Sequence, residues 1–415
     1  MRGISTLLMV TTAILACALP TNLTTPEQVV PVATIVAQTM QALSTASTPL
    51  ATPAATSTSP ALASPTSVPT TVSNVLPKSL YFLNNDKAGL LQIFRIERDG
   101  KTTHQITFEP ANVDSYDISP KDGGVAYVSN NQLFLVDATG AGRRVLVDGG
   151  PVNDNNRFTN SVGMPVWSPD GQTIAFSHDG LNFYSVSTGA TTKILENKID
   201  NSTGIAIVRE LYSPTSYSPD GSKLLINIGF YEGGSFGIYF PTNNTLIRFT
   251  RPDGGNVCCN AAWVPDGSGL YAASPTIGMI DSGLWYINAA NGDATTLLPG
   301  SAPDGTYNFA DAPHISPDGK LYFFFNNLPQ IPTSGHTPLS LVRSGTDGVT
   351  GRAQLKPDVF QNINEVLWTP DASFAVVSFA PTQDVYQGGQ AEIVYPDARP
   401  NTVLTSFAEN MRWGP

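Results

Sequence analysis

Four histidines, a pair of adjacent cysteines and a scatter of carboxylates are the side chains in this sequence best equipped for chemistry. His104, His178, His314 and His336 lie far apart, without the close spacing of a metal site. Glu210, Asp311, Glu365 and Glu409 have the functional group of a general acid or base, but that role needs a fixed separation between two carboxyls, which spacing along the chain does not set. Gly233-Gly234-Ser235-Phe236-Gly237 fits the pattern of a nucleophile elbow, yet it reads as a hairpin turn and lacks the strand-to-helix corner that would expose such a serine. Cys258-Cys259 could close into a vicinal disulfide in an oxidising compartment, or stand as two thiols on opposite faces of a strand. No motif calls for a cofactor or a metal. These residues point to recognition more than to turnover, so the elements that hold them decide the reading.

Composition indicates what those elements are. Charged residues make up 13% of the chain, with 36 Gly, 33 Pro and a formal net charge of -11, so no basic surface exists to neutralise phosphates and nucleic acid is not an expected partner. Dense Gly and Pro among Tyr, Phe and β-branched residues suit many short strands joined by tight turns. From Lys78 a unit recurs about every 50 residues: Ile118-Ser119-Pro120-Lys121-Asp122-Gly123, Trp167-Ser168-Pro169-Asp170-Gly171, Tyr217-Ser218-Pro219-Asp220-Gly221, Trp263-Val264-Pro265-Asp266-Gly267, Ile315-Ser316-Pro317-Asp318-Gly319 and Trp368-Thr369-Pro370-Asp371-Ala372. Ser, then Pro, then Gly in this order are what a type I turn prefers, so each unit is a hairpin turn between an aromatic-ended strand and an apolar one.

A seventh unit is split between the two ends of the chain. Leu80-Tyr81-Phe82-Leu83 looks like every strand that follows a turn, and its missing partner is Met411-Arg412-Trp413-Gly414-Pro415. The predicted fold is all-β: a seven-bladed β-propeller of four-stranded antiparallel blades over residues 77–415, closed by pairing of N- and C-terminal strands. Trp167, Tyr217, Trp263, Trp368 and Trp413 should wedge between neighbouring blades.

Upstream, residues 1–16 read as a secretion signal and 17–76 as a tether rich in Thr, Pro, Ser and Ala, a composition that cannot bury a core. Ile14-Leu15-Ala16-Cys17 resembles the lipobox of bacterial lipoproteins, which implies cleavage before Cys17 and lipidation of its thiol. That resemblance places the folded part outside the cytoplasm, anchored at a cell membrane or outer membrane by its N-terminal lipid.

The Ser-Pro-Asp-Gly turns are similar to those of the TolB-type, WD-repeat-like propeller family, over about Lys78 to Pro415. The resemblance implies architecture, because that family includes periplasmic scaffolds, peptidase propeller domains and lyases. In such a blade the turns between first and second strands, and between third and fourth, share one face; here they are short. All the long insertions fall on the other face, and a rim of variable loops on a rigid scaffold is where binding resides. That rim carries Asp154, Arg157, Arg209, Tyr212, Tyr231, His336 and Tyr386, residue types suited to protein contacts or to stacking on sugars. One position before each inner-strand aromatic, Asp117, Ser216, His314 and Arg412 should face the central channel, with Arg412 and Asp117 close enough to pair. The expectation is a monomeric, non-catalytic binding module for an envelope protein, peptide or polysaccharide. The alternative is a propeller-fold polysaccharide lyase or hydrolase with its site at the channel mouth. A gating propeller of a prolyl-oligopeptidase-like enzyme is not expected, since no hydrolase domain follows Trp413 in this sequence.

Overall fold

The computed structural model describes residues 74–152, 158–202, 206–231, 233–257, 259–277, 281–333 and 335–415. Asp154, Arg157, Cys17 and Cys258 lie outside the described residues, as do the signal and nearly all of the tether. The described part is a seven-bladed β-propeller, with no helix among the described residues.

Blade 1 joins Glu409–Trp413 to Leu80–Asn85, Leu91–Ile96 and Thr103–Gln105, so the last strand of the chain is the inner strand of the first blade. Leu80 pairs with Trp413 and Tyr81 with Arg412, and the Gly414 N–H donates to the Ser79 carbonyl at 2.8 Å. The inner strands of blades 2 to 7 are Val113–Ile118, Val162–Trp167, Ile207–Tyr217, Asn260–Trp263, Tyr307–Ile315 and Ile363–Trp368. Folded chain begins slightly before the expected boundary: Leu76 is buried, and its N–H and that of Val75 donate to the Arg98 carbonyl.

One blade departs from the four-strand plan. In blade 4, Lys198–Asp200 adds a fifth strand against Ile207–Tyr217. Two ion pairs fasten that edge, Arg209 to Asp200 at 2.8 Å and Lys198 to Glu210 at 2.8 Å. The elbow-like Gly233–Gly237 is also strand, part of Gly233–Phe240, reached by a tight turn at Tyr231.

The core is seven layers, one between each pair of adjacent blades. Alternate residues of one strand serve different layers: Leu80 and Phe82 pack towards blade 7, while Tyr81 and Leu83 pack towards blade 2. Strands buried on both faces read as unbroken apolar runs, as in Val125–Ser129, where every residue is buried. The inner aromatics reach the preceding blade as expected. Trp413 Nε1 donates to the Trp368 carbonyl at 2.8 Å, Trp368 Nε1 to the Ala312 carbonyl at 2.8 Å, and Trp263 Nε1 to Ser216 Oγ at 3.1 Å.

Candidate functional site

The inner strands run from the long-loop face to the short-turn face, and most carry a β-bulge part-way along. Register shifts occur between Val113 and Ser115, Gly163 and Val166, Pro214 and Ser216, Asp311 and His314, and Ile363 and Glu365, and opposite Tyr81 and Leu83. Met164, Ala312 and Asn410 take positive φ there, and Asn362 does so one residue before the blade 7 inner strand, a conformation non-glycine residues adopt at local cost. A bulge flips the alternation, so residues on both sides of it turn towards the axis. The consequence is a ring of polar side chains around the central channel.

That channel holds a cavity of about 720 Å³ lined by inner-strand residues of five blades, including Asp114, Met164, Glu365, Glu409 and Arg412, with Cys259 just ahead of the blade 5 inner strand and Tyr386 reaching in from a blade 7 loop. Gly234, at the start of Gly233–Phe240, and Tyr386, Gln387 and Gly388 of the long blade 7 loop place its mouth on the long-loop face. Arg412 sits between two carboxylates, 3.9 Å from Asp117 and 3.6 Å from Glu365. Its side chain keeps 43% of its surface accessible, because the channel admits water although protein surrounds it. Glu365 also accepts from the Met411 N–H at 2.8 Å, and Asp117 from the Trp167 N–H at 2.7 Å, so both carboxylates are held by a neighbouring blade.

Electrostatically the channel is short of positive charge. Asp117 and Glu365 flank Arg412, Asp114 and Glu409 line the same channel, and among the described residues lining the cavity Arg412 is the one arginine or lysine. Burial pushes the carboxyls of Asp117 and Glu365 above their ordinary range despite the counteracting Arg412, and burial alone does so for Glu409. A neighbouring cavity of about 350 Å³ lies among blades 5, 6 and 7, where Asp311 is buried and pushed up to about 6, against hydrogen bonds from Asn260 and the Ala312 N–H and the field of His336.

The residues singled out from sequence part company here. Asp117, Arg412 and Tyr386 meet at the channel, and His336 lies against Tyr386 with ring centroids 4.8 Å apart and Nε2 2.9 Å from the Val385 carbonyl. His314 lines the smaller cavity, stacked on Trp368 at 5.7 Å with Nε2 3.3 Å from the Pro370 carbonyl, and burial lowers its pKa. Tyr212 is not a surface residue: its ring packs in the layer between blades 3 and 4 and its hydroxyl donates to Glu210. Arg209 is taken by Asp200, and Tyr231 stands exposed on a separate turn of blade 4. Glu365 and Glu409, singled out from sequence only as carboxylates of unknown separation, and Asp114, not singled out, complete the ring. Cys259 lines the channel and is disulfide-bonded, and the other cysteines of the chain are Cys17 and Cys258. Among the described residues no group of three or more His, Cys, Asp or Glu could hold a metal ion.

The class this architecture defines is the β-propeller. No protein-family model and no curated protein matches the chain. Among solved structures the neighbours include TolB proteins. TolB from Acinetobacter baumannii is 15% identical with a TM-score of 0.41, over 78% of this chain and 77% of that one. A putative TolB from Agrobacterium tumefaciens is 17% identical with a TM-score of 0.42, over 74% and 99%. A prolyl endopeptidase matches at 11% identity and a TM-score of 0.52 over 81% of this chain, which spans about half (49%) of that longer one. These likenesses are of fold.

Proposed function

We propose that the protein is a lipid-anchored binding module of the cell envelope, exposed outside the cytoplasm, monomeric and non-catalytic, which receives a basic peptide segment of an envelope protein at the channel mouth on its long-loop face. The observation that carries this reading is the imbalance in the channel, where, among the described residues, Asp114, Glu365 and Glu409 line a cavity of about 720 Å³ with one arginine, Arg412, which Asp117 also approaches. Carboxylates held above their ordinary range by burial are stabilised when a cationic group enters beside them. Their own field would also speed its approach. The lipobox-like Ile14–Cys17 supports the anchor, since acyl chains contribute about 0.8 kcal/mol per buried CH₂.

Titration calorimetry with a lysine-rich peptide tests the reading. Binding should weaken on acidification, beginning above the ordinary carboxylate range because the channel carboxyls take up protons early. Glu365→Gln with Glu409→Gln should weaken it tenfold or more; unchanged affinity in that double variant removes the channel as the site. Cys17→Ala should move the protein from the membrane fraction to the soluble one in a producing bacterium, and retention of membrane association would remove the lipid anchor.

A further inference from the structure

A second built site lies outside the channel, on the long-loop side of blade 5, where a cavity of about 360 Å³ forms between the end of blade 4 and the start of blade 6. Its centre is Arg251, whose side chain is only 6% accessible. The guanidinium is fixed from several sides: Nη1 donates to Asp281 at 2.8 Å and to the Asn256 carbonyl at 3.3 Å, Nη2 donates to Asp253, and the group lies 5.4 Å from the Trp285 ring centre. Gly255 makes this approach feasible, since a Cβ there would come within 2.6 Å of Nη1.

Two donors in this arrangement have no acceptor. Arg251 Nε and Trp285 Nε1 are both buried and both unpartnered, although each residue lines the cavity. A buried N–H without a partner carries the desolvation penalty of the group with nothing to offset it. The rest of the wall is aromatic and aliphatic, with Tyr307, Ile277 and Ile331 around Trp285. At the mouth the carboxylates of Asp253 and Asp281 stay 59% and 61% accessible.

We propose that this cavity binds a neutral saccharide unit. Its apolar face would pack on the aromatic and aliphatic wall, its hydroxyls would donate to the open carboxylates of Asp253 and Asp281, and a small shift of the wall on binding would uncover Arg251 Nε and Trp285 Nε1 for its oxygens to accept from. An anionic ligand is disfavoured, because the two carboxylates already outweigh the arginine at the mouth. A divalent cation is disfavoured by the guanidinium at the centre. The volume falls in the ~300–1,000 Å³ range of small-molecule sites. The proposal stands apart from the reading of the channel, and the test keeps the two separate.

The full chain would be titrated with cellohexaose, maltohexaose, xylohexaose and chitohexaose, with trigalacturonate as the acidic probe and the lysine-rich peptide as the peptide probe, following heat and tryptophan emission. One neutral series should bind and shift the emission. Arg251→Lys, Trp285→Phe, Tyr307→Ala and Asp281→Asn should each weaken that binding tenfold or more, while Glu365→Gln leaves it unchanged. Should Trp285→Phe fail to fold, the two variants at the wall and mouth, Tyr307→Ala and Asp281→Asn, decide. Absence of binding by all four neutral hexasaccharides overturns the proposal. So does tight binding of trigalacturonate in their place, or saccharide affinity that survives Tyr307→Ala and Asp281→Asn.

Discussion

Asp311 shows how a single carboxyl can set the pH response of this fold. It is 5% accessible and pushed up to about 6, so the folded protein holds its proton more tightly than the unfolded chain, where the value is ~3.9. Stability therefore is lost as pH rises from about 4 through about 6, by up to ~3 kcal/mol, since each pH unit across that window costs ~1.4 kcal/mol. Asp311→Asn should remove that loss. Both hydrogen bonds from Asn260 and Ala312 fall on Oδ1, which the amide keeps. Urea denaturation at pH 4 and pH 7.5 checks it: the variant should match the wild type at the lower pH and exceed it by ~2–3 kcal/mol at the higher. An equal difference at both values would mean that the charge is not what matters. At the same scale, only part of the channel was legible in the sequence. Asp117 and Arg412 fall one position before the inner-strand Ile118 and Trp413, where simple alternation finds them. Asp114 and Glu409 lie beyond a bulge, where counting by two assigns them to the wrong face.

At the scale of elements, the turns were legible because their structure is local. In the Tyr217–Gly221 turn the Ser218 Oγ donates to Asp220 at 2.6 Å and accepts from the Lys223 N–H at 3.0 Å, while Gly221 takes a φ of 72° that suits glycine. Every contact is made within six residues, so the motif carries its own geometry. The fifth strand of blade 4 was not legible, because Lys198–Asp200 is three residues long and depends on Arg209 and Glu210 across the register for its fastening. Tyr212 was misplaced for a related reason: a tyrosine in a polar stretch reads as surface until the strand that buries it is known. Ser218→Ala tests the turn. It leaves the Lys223 N–H without its acceptor beside a fully buried position and should cost ~1–2 kcal/mol in urea denaturation. No loss would mean that Pro219 and Gly221 suffice to hold the hairpin.

The whole ring depends on one join that no other element duplicates. Between blades 7 and 1 the layer is completed by Met411, fully buried, and by Trp413, which meets Phe374 edge-on at 6.4 Å and donates to the Trp368 carbonyl. The Met411 N–H to Glu365 and the Gly414 N–H to Ser79 lock the same strand on both sides. Removing residues 411–415 takes away burial worth ~5 kcal/mol or more, using ~2–3 for the methionine and ~3–5 for the tryptophan as large-to-small substitutions measure them. It also strips Leu80–Asn85 of its partner and leaves an open strand edge in the channel wall. At ~1–2 °C per kcal/mol for a domain of roughly 340 residues, the melting temperature should fall by on the order of 5–10 °C. The bare edge should also drive self-association, visible by sedimentation. A truncated chain that melts at the wild-type temperature as a monomer would mean that the six remaining layers close the ring unaided, and that the strand shared between the two ends contributes little to holding the channel open at its present width.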